Sequence, residues 1–111
     1  FIGIFQHAKY NVPNFAEGYC TDDNSRALIL TVLLENLGTI NSLRLYDLAS
    51  RFLGFVRYAW DEKAARFRNF LTFQRKWTDE VFSEDCHGRA IWALGTCIGR
   101  SKNEGFTQMA A

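Results

Sequence analysis

The chain has 111 residues, 48% of them apolar, with 13 basic against 12 acidic side chains and a formal charge of +1. Such a chain can bury the core of one small domain and is too apolar to stay disordered. The even charge balance, with no stripe of Lys and Arg, argues against nucleic acid as a partner, and the longest apolar stretch, Ala27 to Leu34, falls far short of a membrane span.

In chain order, the sequence opens without methionine on a strand-like apolar run, Phe1 to Phe5. A first helix is predicted over about 23–37, capped by Thr21 or Asp22 and stopped at Gly38, where a left-handed residue suits a helix end. Its body, with Leu28, Ile29, Leu30, Val32, Leu33, Leu34 and Leu37, is apolar all round, which predicts enclosure on most sides. A second helix over about 42–60 has a wet side (Arg44, Asp47, Arg51, Arg57 or Tyr58). Its dry side carries Leu45, Leu48, Ala49, Phe52, Leu53 and Val56, as in an outer helix covering an inner one. Residues 66–77 are dense in aromatics with partial alternation, and read as a short hairpin or extended excursion, with helix the competing reading. A further enclosed helix is predicted over about 85–98, ending at Gly99. A truncated one follows from about 102 behind the capping box Ser101-Lys102-Asn103-Glu104. Two inner helices bracketing an outer one, with starts about 60 residues apart, are the plan of an all-α, partial alpha/alpha toroid, so the chain reads as a fragment of a larger ring.

Most informative is an internal repeat. Asp22-Asp23-Asn24-Ser25-Arg26-Ala27-Leu28 returns as Asp85-Cys86-His87-Gly88-Arg89-Ala90-Ile91, each copy opening an apolar run. Polar residues at the starts of inner helices converge on a shared pocket, which makes Asp22, Asp23, Asn24, Arg26, Glu84, Asp85, His87 and Arg89 candidates. Glycoside hydrolysis needs two carboxyls, one acid and one base, roughly 5 to 10 Å apart. A helix start favours the ionised form, so Asp22, Asp23 or Asp85 suits the base or a sugar-hydroxyl contact, and Glu84, just outside its helix, suits the acid. His7 and His87 either orient a sugar or serve as structural donors, and neither has metal-ligand spacing. Tyr10, Tyr19 and Trp77 are candidates to stack on a sugar face, whereas Trp60 and Trp92 are expected to be packed. No metal and no cofactor is expected. The competing account is that Asp22 with Arg26, and Asp85 with Arg89, are i,i+4 pairs that only support first helical turns.

Cys20, Cys86 and Cys97 are odd in number and lack CxxC spacing, which fits free thiols in a reducing compartment such as the cytoplasm. All three are expected as buried small hydrophobes with inert thiols; Cys86 is the exception to watch, because it stands beside His87 near a helix start, where a thiolate would be stabilised.

The segments His7-Ala8-Lys9-Tyr10, Gly18 to Ala27, Phe67-Arg68-Asn69-Phe70 and Ser83 to Gly95 resemble a bacterial family of six-hairpin, glycosidase-like toroid domains, some of them attached to glycosyltransferases. The resemblance spans most of the chain and implies carbohydrate handling more firmly than any reaction. Ser25 and Cys86 depart from it, standing where alanine and serine are expected. The expectation is therefore part of a carbohydrate-active protein, glycoside-hydrolase-like or glycosyltransferase-associated, and inactive by itself. Its expected partners are carbohydrate and either the rest of a parent protein or further copies of itself covering the apolar helix faces. The alternative is a non-catalytic helical interaction or scaffold module whose acidic motifs only cap helices.

Overall fold

A computed structural model describes residues 2–111. Its backbone is a helical hairpin, α1 (Thr21–Leu37) and α2 (Ser42–Tyr58), with α3 (Glu84–Arg100) on the other flank of α1 and the short α4 (Glu104–Ala110) closing against α3 and α2. Gly38 ends α1 in the left-handed conformation (φ 70°), its N–H bonded back to Leu34 and Glu35, the geometry the sequence predicts for that glycine. Asn41 then caps α2 by accepting from the Leu43 N–H.

The core lies between these helices. Leu28, Ile29 and Val32 of α1 meet Ala49, Phe52, Leu53 and Val56 of α2, while α3 contributes the small residues Cys86, Ala90, Ala93 and Cys97. Their spacing of four, three and four places them in one stripe, and small side chains let α3 approach α1 closely. Burying Leu28, Val32 and Val56, all at 1% exposure or less, stabilises the fold by roughly 1.5–3 kcal/mol each. A second cluster, Tyr19, Phe55 and Leu71, seals the end of the bundle where α1 begins.

The fold class expected from sequence, an all-α partial toroid, is overturned. Beside the four helices stand six two-residue strands in three antiparallel pairs, so the domain is mixed α/β. β1 (Ala8–Lys9) pairs with β2 (Val12–Pro13), and β4 (Trp60–Asp61) with β5 (Arg66–Phe67). β3 (Tyr19–Cys20) pairs with β6 (Phe70–Leu71) in the register Tyr19↔Leu71 and Cys20↔Phe70. Isolated bridges add Phe5 beside Tyr19 and Trp77 beside Leu71. The 66–77 excursion is thus extended, and it pairs with strands on either side of the hairpin. Gly18, with φ 65°, is obligatory before β3, because a Cβ there would run into the carbonyl oxygen of Leu71.

The described residues form a slab of 39 × 36 × 20 Å, about two helix diameters thick. Enclosure of α1 and α3 is therefore incomplete. Leu30 (56% exposed), Leu33 and Leu37 line an open stripe of α1, and Ile91, Trp92 (59%) and Ile98 line one of α3. Trp92, expected in the core, is solvent-facing because no third layer covers α3. Trp60 is also partly exposed, its ring on Phe67 and its indole N–H donating to Glu62 (2.7 Å). Helix α4 starts at the Asn103 cap rather than at Ser101. The Ser101 hydroxyl instead donates to the buried Glu35 carboxylate (3.1 Å), which also accepts from the Lys102 N–H (2.7 Å). No helix among the described residues is long and apolar enough to cross a membrane.

Candidate functional site

Helix α1 starts without a side-chain cap of its own, since Cys20 in the cap position supplies none. Its free N–H groups are satisfied from across the fold. The Asn69 carbonyl accepts from the Thr21 N–H (2.8 Å), and the Asn69 side-chain oxygen accepts from the Asp22 N–H (3.3 Å) and the Cys20 thiol (3.1 Å). The Thr21 hydroxyl donates to the Arg68 carbonyl at 2.6 Å. Asn69 is itself clamped by Asp79, whose carboxylate accepts from the N–H groups of Asn69 (2.7 Å) and Phe70 (2.8 Å). Arg68 donates twice to Asp61 (2.7 and 3.0 Å) and lies 4.7 Å from the centre of the Phe82 ring. The Ala64 N–H and then Arg68 hold the Asp61 carboxyl below the usual carboxylate range.

On this mouth the two motif copies meet. Asp22 pairs with Arg26 of its own copy (3.2 Å) and with Arg89 of the other (2.8 Å). The local pairing of Asp85 with Arg89 is not formed. The Arg89 Nε–H is not directed at the Asp22 oxygen and has no hydrogen-bond partner, so that contact is coulombic rather than a directed bond. Asp23 borders an open depression of about 400 Å³, together with Ile4, Gln6, Arg26 and Leu30. Burial first, and the neighbouring Asp22 carboxylate second, push the Asp23 carboxyl above its ordinary value, while Arg26 and His7 act in the opposite sense. His7 is exposed and does not line the depression.

The other candidates lie elsewhere or are already engaged. Asn24 is fully buried: its amide donates to the Cys20 carbonyl (2.9 Å) and the Ile4 carbonyl (3.3 Å), and its oxygen accepts from the Ile4 N–H (2.9 Å). Tyr19 is buried and stacks on Phe5, with centroids 4.5 Å apart. Trp77 is half-buried against Phe55 and Tyr58. His87 accepts from the Phe67 N–H at 3.4 Å, and its ring lies against that of Phe67. Glu84 is 82% exposed with a loose pair to Arg66 (3.8 Å), so the apolar surroundings that would make it an acid are absent. Asp85 is exposed, and neither Glu84 nor Asp85 borders the Asp23 depression.

Cys86 follows the expectation of a buried, inert thiol rather than that of a thiolate at a helix start. Its sulfur is buried, and burial pushes its thiol up to about 12, away from the thiolate. Sequence reasoning missed Asn69, Asp79 and Asp61 as builders of the mouth. The run Phe67 to Phe70 stood out only through the family resemblance, and no local signal marks Asp79. Among the described residues no group of three or more His, Cys, Asp or Glu is placed to hold a metal ion. Compared with protein-family models, curated proteins and solved structures, the chain matches none.

Proposed function

We propose that this chain is the sugar-contacting part of a carbohydrate-active protein, glycosidase-like or glycosyltransferase-associated, and that a sugar binds at the mouth of α1. The observation that supports this is the convergence of both motif copies on Asp22, held by Arg26 and Arg89 beside the Asp23 depression. A depression with one carboxyl, one guanidinium and one side-chain amide (Asp23, Arg26 and Gln6) among apolar walls suits hydroxyl recognition. In this reading Asp23 contacts a sugar hydroxyl, its carboxyl pushed above its ordinary value by burial and by the neighbouring Asp22. Asp22 is the fixed negative charge beside it. Glycoside hydrolysis would need a second free carboxyl facing Asp23, so hydrolysis by this chain alone is outside the proposal.

Amide chemical shifts test this reading during titration with glucose, mannose and galactose. Saturable shifts at Gln6, His7, Asp23 and Arg26, abolished by Asp23→Asn, support it. Shifts at none of these positions would remove it.

The second reading, a non-catalytic interaction module, is favoured by one specific observation: Leu30, Leu33 and Leu37 on α1, and Ile91, Trp92 and Ile98 on α3, are open apolar stripes. In both readings these stripes are covered by further helices of the same protein or by a second copy. A strictly monomeric chain in light scattering at high concentration would count against the second copy. The three free, buried cysteines support a reducing, cytoplasmic setting.

A further inference from the structure

A groove of about 450 Å³ along α2, which shares no lining residue with the Asp23 depression, is lined by Ile2, Arg51, Gly54, Phe55, Tyr58 and Arg75. Two local rules of backbone chemistry are broken at this one place. Gly54 lies inside α2, four residues before its end, where glycine weakens a helix, yet a Cβ there, as at Gly88 and Gly95 of α3, would meet nothing within 4 Å. Crowding therefore does not explain it. The effect of the missing side chain is to leave the floor open between Arg51 and Tyr58, which lie three residues before it and four after it on the same helical face.

The second broken rule is at Arg75. The turn after β6 is closed by the Arg75 N–H on the Thr72 carbonyl and the Thr72 N–H on the Lys76 carbonyl, both at 2.9 Å. Arg75 occupies its left-handed position with φ 64°, where glycine or asparagine would be unstrained. Its guanidinium has no ion pair or side-chain hydrogen bond among the described residues. Arg51 is held only by an exposed i,i+4 contact to Asp47 at 3.5 Å. Places where a sequence accepts local strain without a packing return are where function is to be sought.

We propose that this groove is a binding site for an anionic sugar, whose ring lies over Gly54 against Tyr58 and whose carboxylate or phosphate sits between Arg51 and Arg75. The chemistry fits on both sides: guanidinium forks recognise carboxylate and phosphate, and an exposed tyrosine ring presents a flat apolar face to a sugar. Tyr58 is stiffened for that role by contact with the Trp77 ring, with centroids 5.6 Å apart. The sugar half of this assignment rests on the carbohydrate reading above, whereas the anion half does not.

The test is an amide-shift titration of the whole chain with glucuronate, glucose 6-phosphate, glucose and inorganic phosphate. Glucuronate or glucose 6-phosphate should move Arg51, Gly54, Tyr58 and Arg75, and whichever binds more tightly identifies the anion. Glucose should leave these residues unmoved. Arg75→Gly should weaken the anionic sugar at least tenfold while keeping or raising the melting temperature, and Gly54→Leu should block it. Asp23→Asn, at the other site, should leave it unchanged. The proposal is overturned if neither anionic sugar moves these residues, if Arg75→Gly binds as the native chain does, or if glucose binds equally well. Inorganic phosphate binding as tightly as glucose 6-phosphate would overturn the sugar half. Failure of the acidic mouth is read separately, at Gln6, His7 and Asp23.

Discussion

Replacing Asn24 decides whether the most polar residue of the first motif is a ligand for sugar or a rivet of the scaffold. The side chain is fully buried and makes two good hydrogen bonds, to the Cys20 carbonyl and from the Ile4 N–H, and a longer one to the Ile4 carbonyl. At about 1 kcal/mol for each good bond and less for the long one, Asn24→Ala loses roughly 2–2.5 kcal/mol. Loss of the buried amide adds a cavity term of about 1 kcal/mol, while the higher helix propensity of alanine returns about 0.6 kcal/mol. Ile4 is itself 40% exposed, so water can reach the freed N–H and the penalty for orphaning it stays at the low end. The net expectation is about 2–3 kcal/mol in urea denaturation, or roughly 8–12 °C in melting temperature at about 4 °C per kcal/mol. Asn24→Asp keeps the shape but turns a donor toward two carbonyl oxygens into an acceptor, so it should cost more than alanine. Hydrogen exchange should quicken at Ile4 and Gln6 before it does in α3, because the N-terminal segment is what the amide ties down. An Asn24→Ala variant within about 0.5 kcal/mol of the native chain, or one less stable than Asn24→Asp, would refute the scaffold assignment.

Other expectations follow from the same contacts. The Ser25 hydroxyl is buried without a hydrogen-bond partner, so Ser25→Ala should raise stability by about 1–2 kcal/mol, read as a higher thermal midpoint. A lower midpoint would mean that the hydroxyl is satisfied. Glu35 is buried and accepts from Lys102, Ser101 and Tyr46, so Glu35→Ala should cost about 2–4 kcal/mol and loosen α4, seen as loss of the near-ultraviolet signal of the Tyr46–Phe106 ring pair. Burial raises Cys86 to about 12 and Cys97 to about 11 from an ordinary 9.0. Because these folded-state values lie above the unfolded one, the stability they confer is complete below pH 9.0 and is lost as pH rises toward 11 and 12. The urea midpoint should therefore hold up to about pH 9 and fall between pH 9 and pH 11, and an aromatic disulfide reagent should find no reactive thiol in the native chain and three after unfolding. Fast native labelling would contradict the burial of Cys86.

What could be read from the sequence was what repeats locally. The helical period of Leu45, Ala49, Phe52, Leu53 and Val56 gave the dry face of α2, although Leu48, read with them, is exposed, and Gly38 gave the end of α1. The strands escaped because two residues carry no alternation, and because β3 and β6 meet across about fifty positions with nothing local to announce it. Trp92 shows the same limit from the other side. An apolar residue at helical spacing says that a face would gain by being covered, and only the arrangement of neighbours says whether it is. In a slab with α1 in the middle, the outward stripe of α3 has no neighbour.

The acidic motifs divide by whether each side chain has hydrogen-bonding capacity left after folding. Thr21, Asn24 and Arg68, and the side-chain oxygen of Asn69, have spent theirs on joining the N-terminal segment, α1 and the 66–71 strands. Sequence could not foresee this, because Asp85 and Arg89 satisfy the i,i+4 rule as well as Asp22 and Arg26 do, and local rules cannot choose between a pairing within one helix and a pairing across two. The fold chose the second for Arg89, and the choice has a consequence for chemistry. A carboxylate flanked by two guanidiniums on different helices is a fixed charge whose position depends on how α1 and α3 pack, whereas Asp23, one residue on, faces the open depression with its proton held more tightly than usual. Adjacent carboxyls in unlike surroundings are how a protein obtains a fixed anion and a proton donor from one residue type. A duplicated capping motif has no need of that difference, which is why the sugar contact proposed above rests on the meeting at Asp22 rather than on the repeat itself.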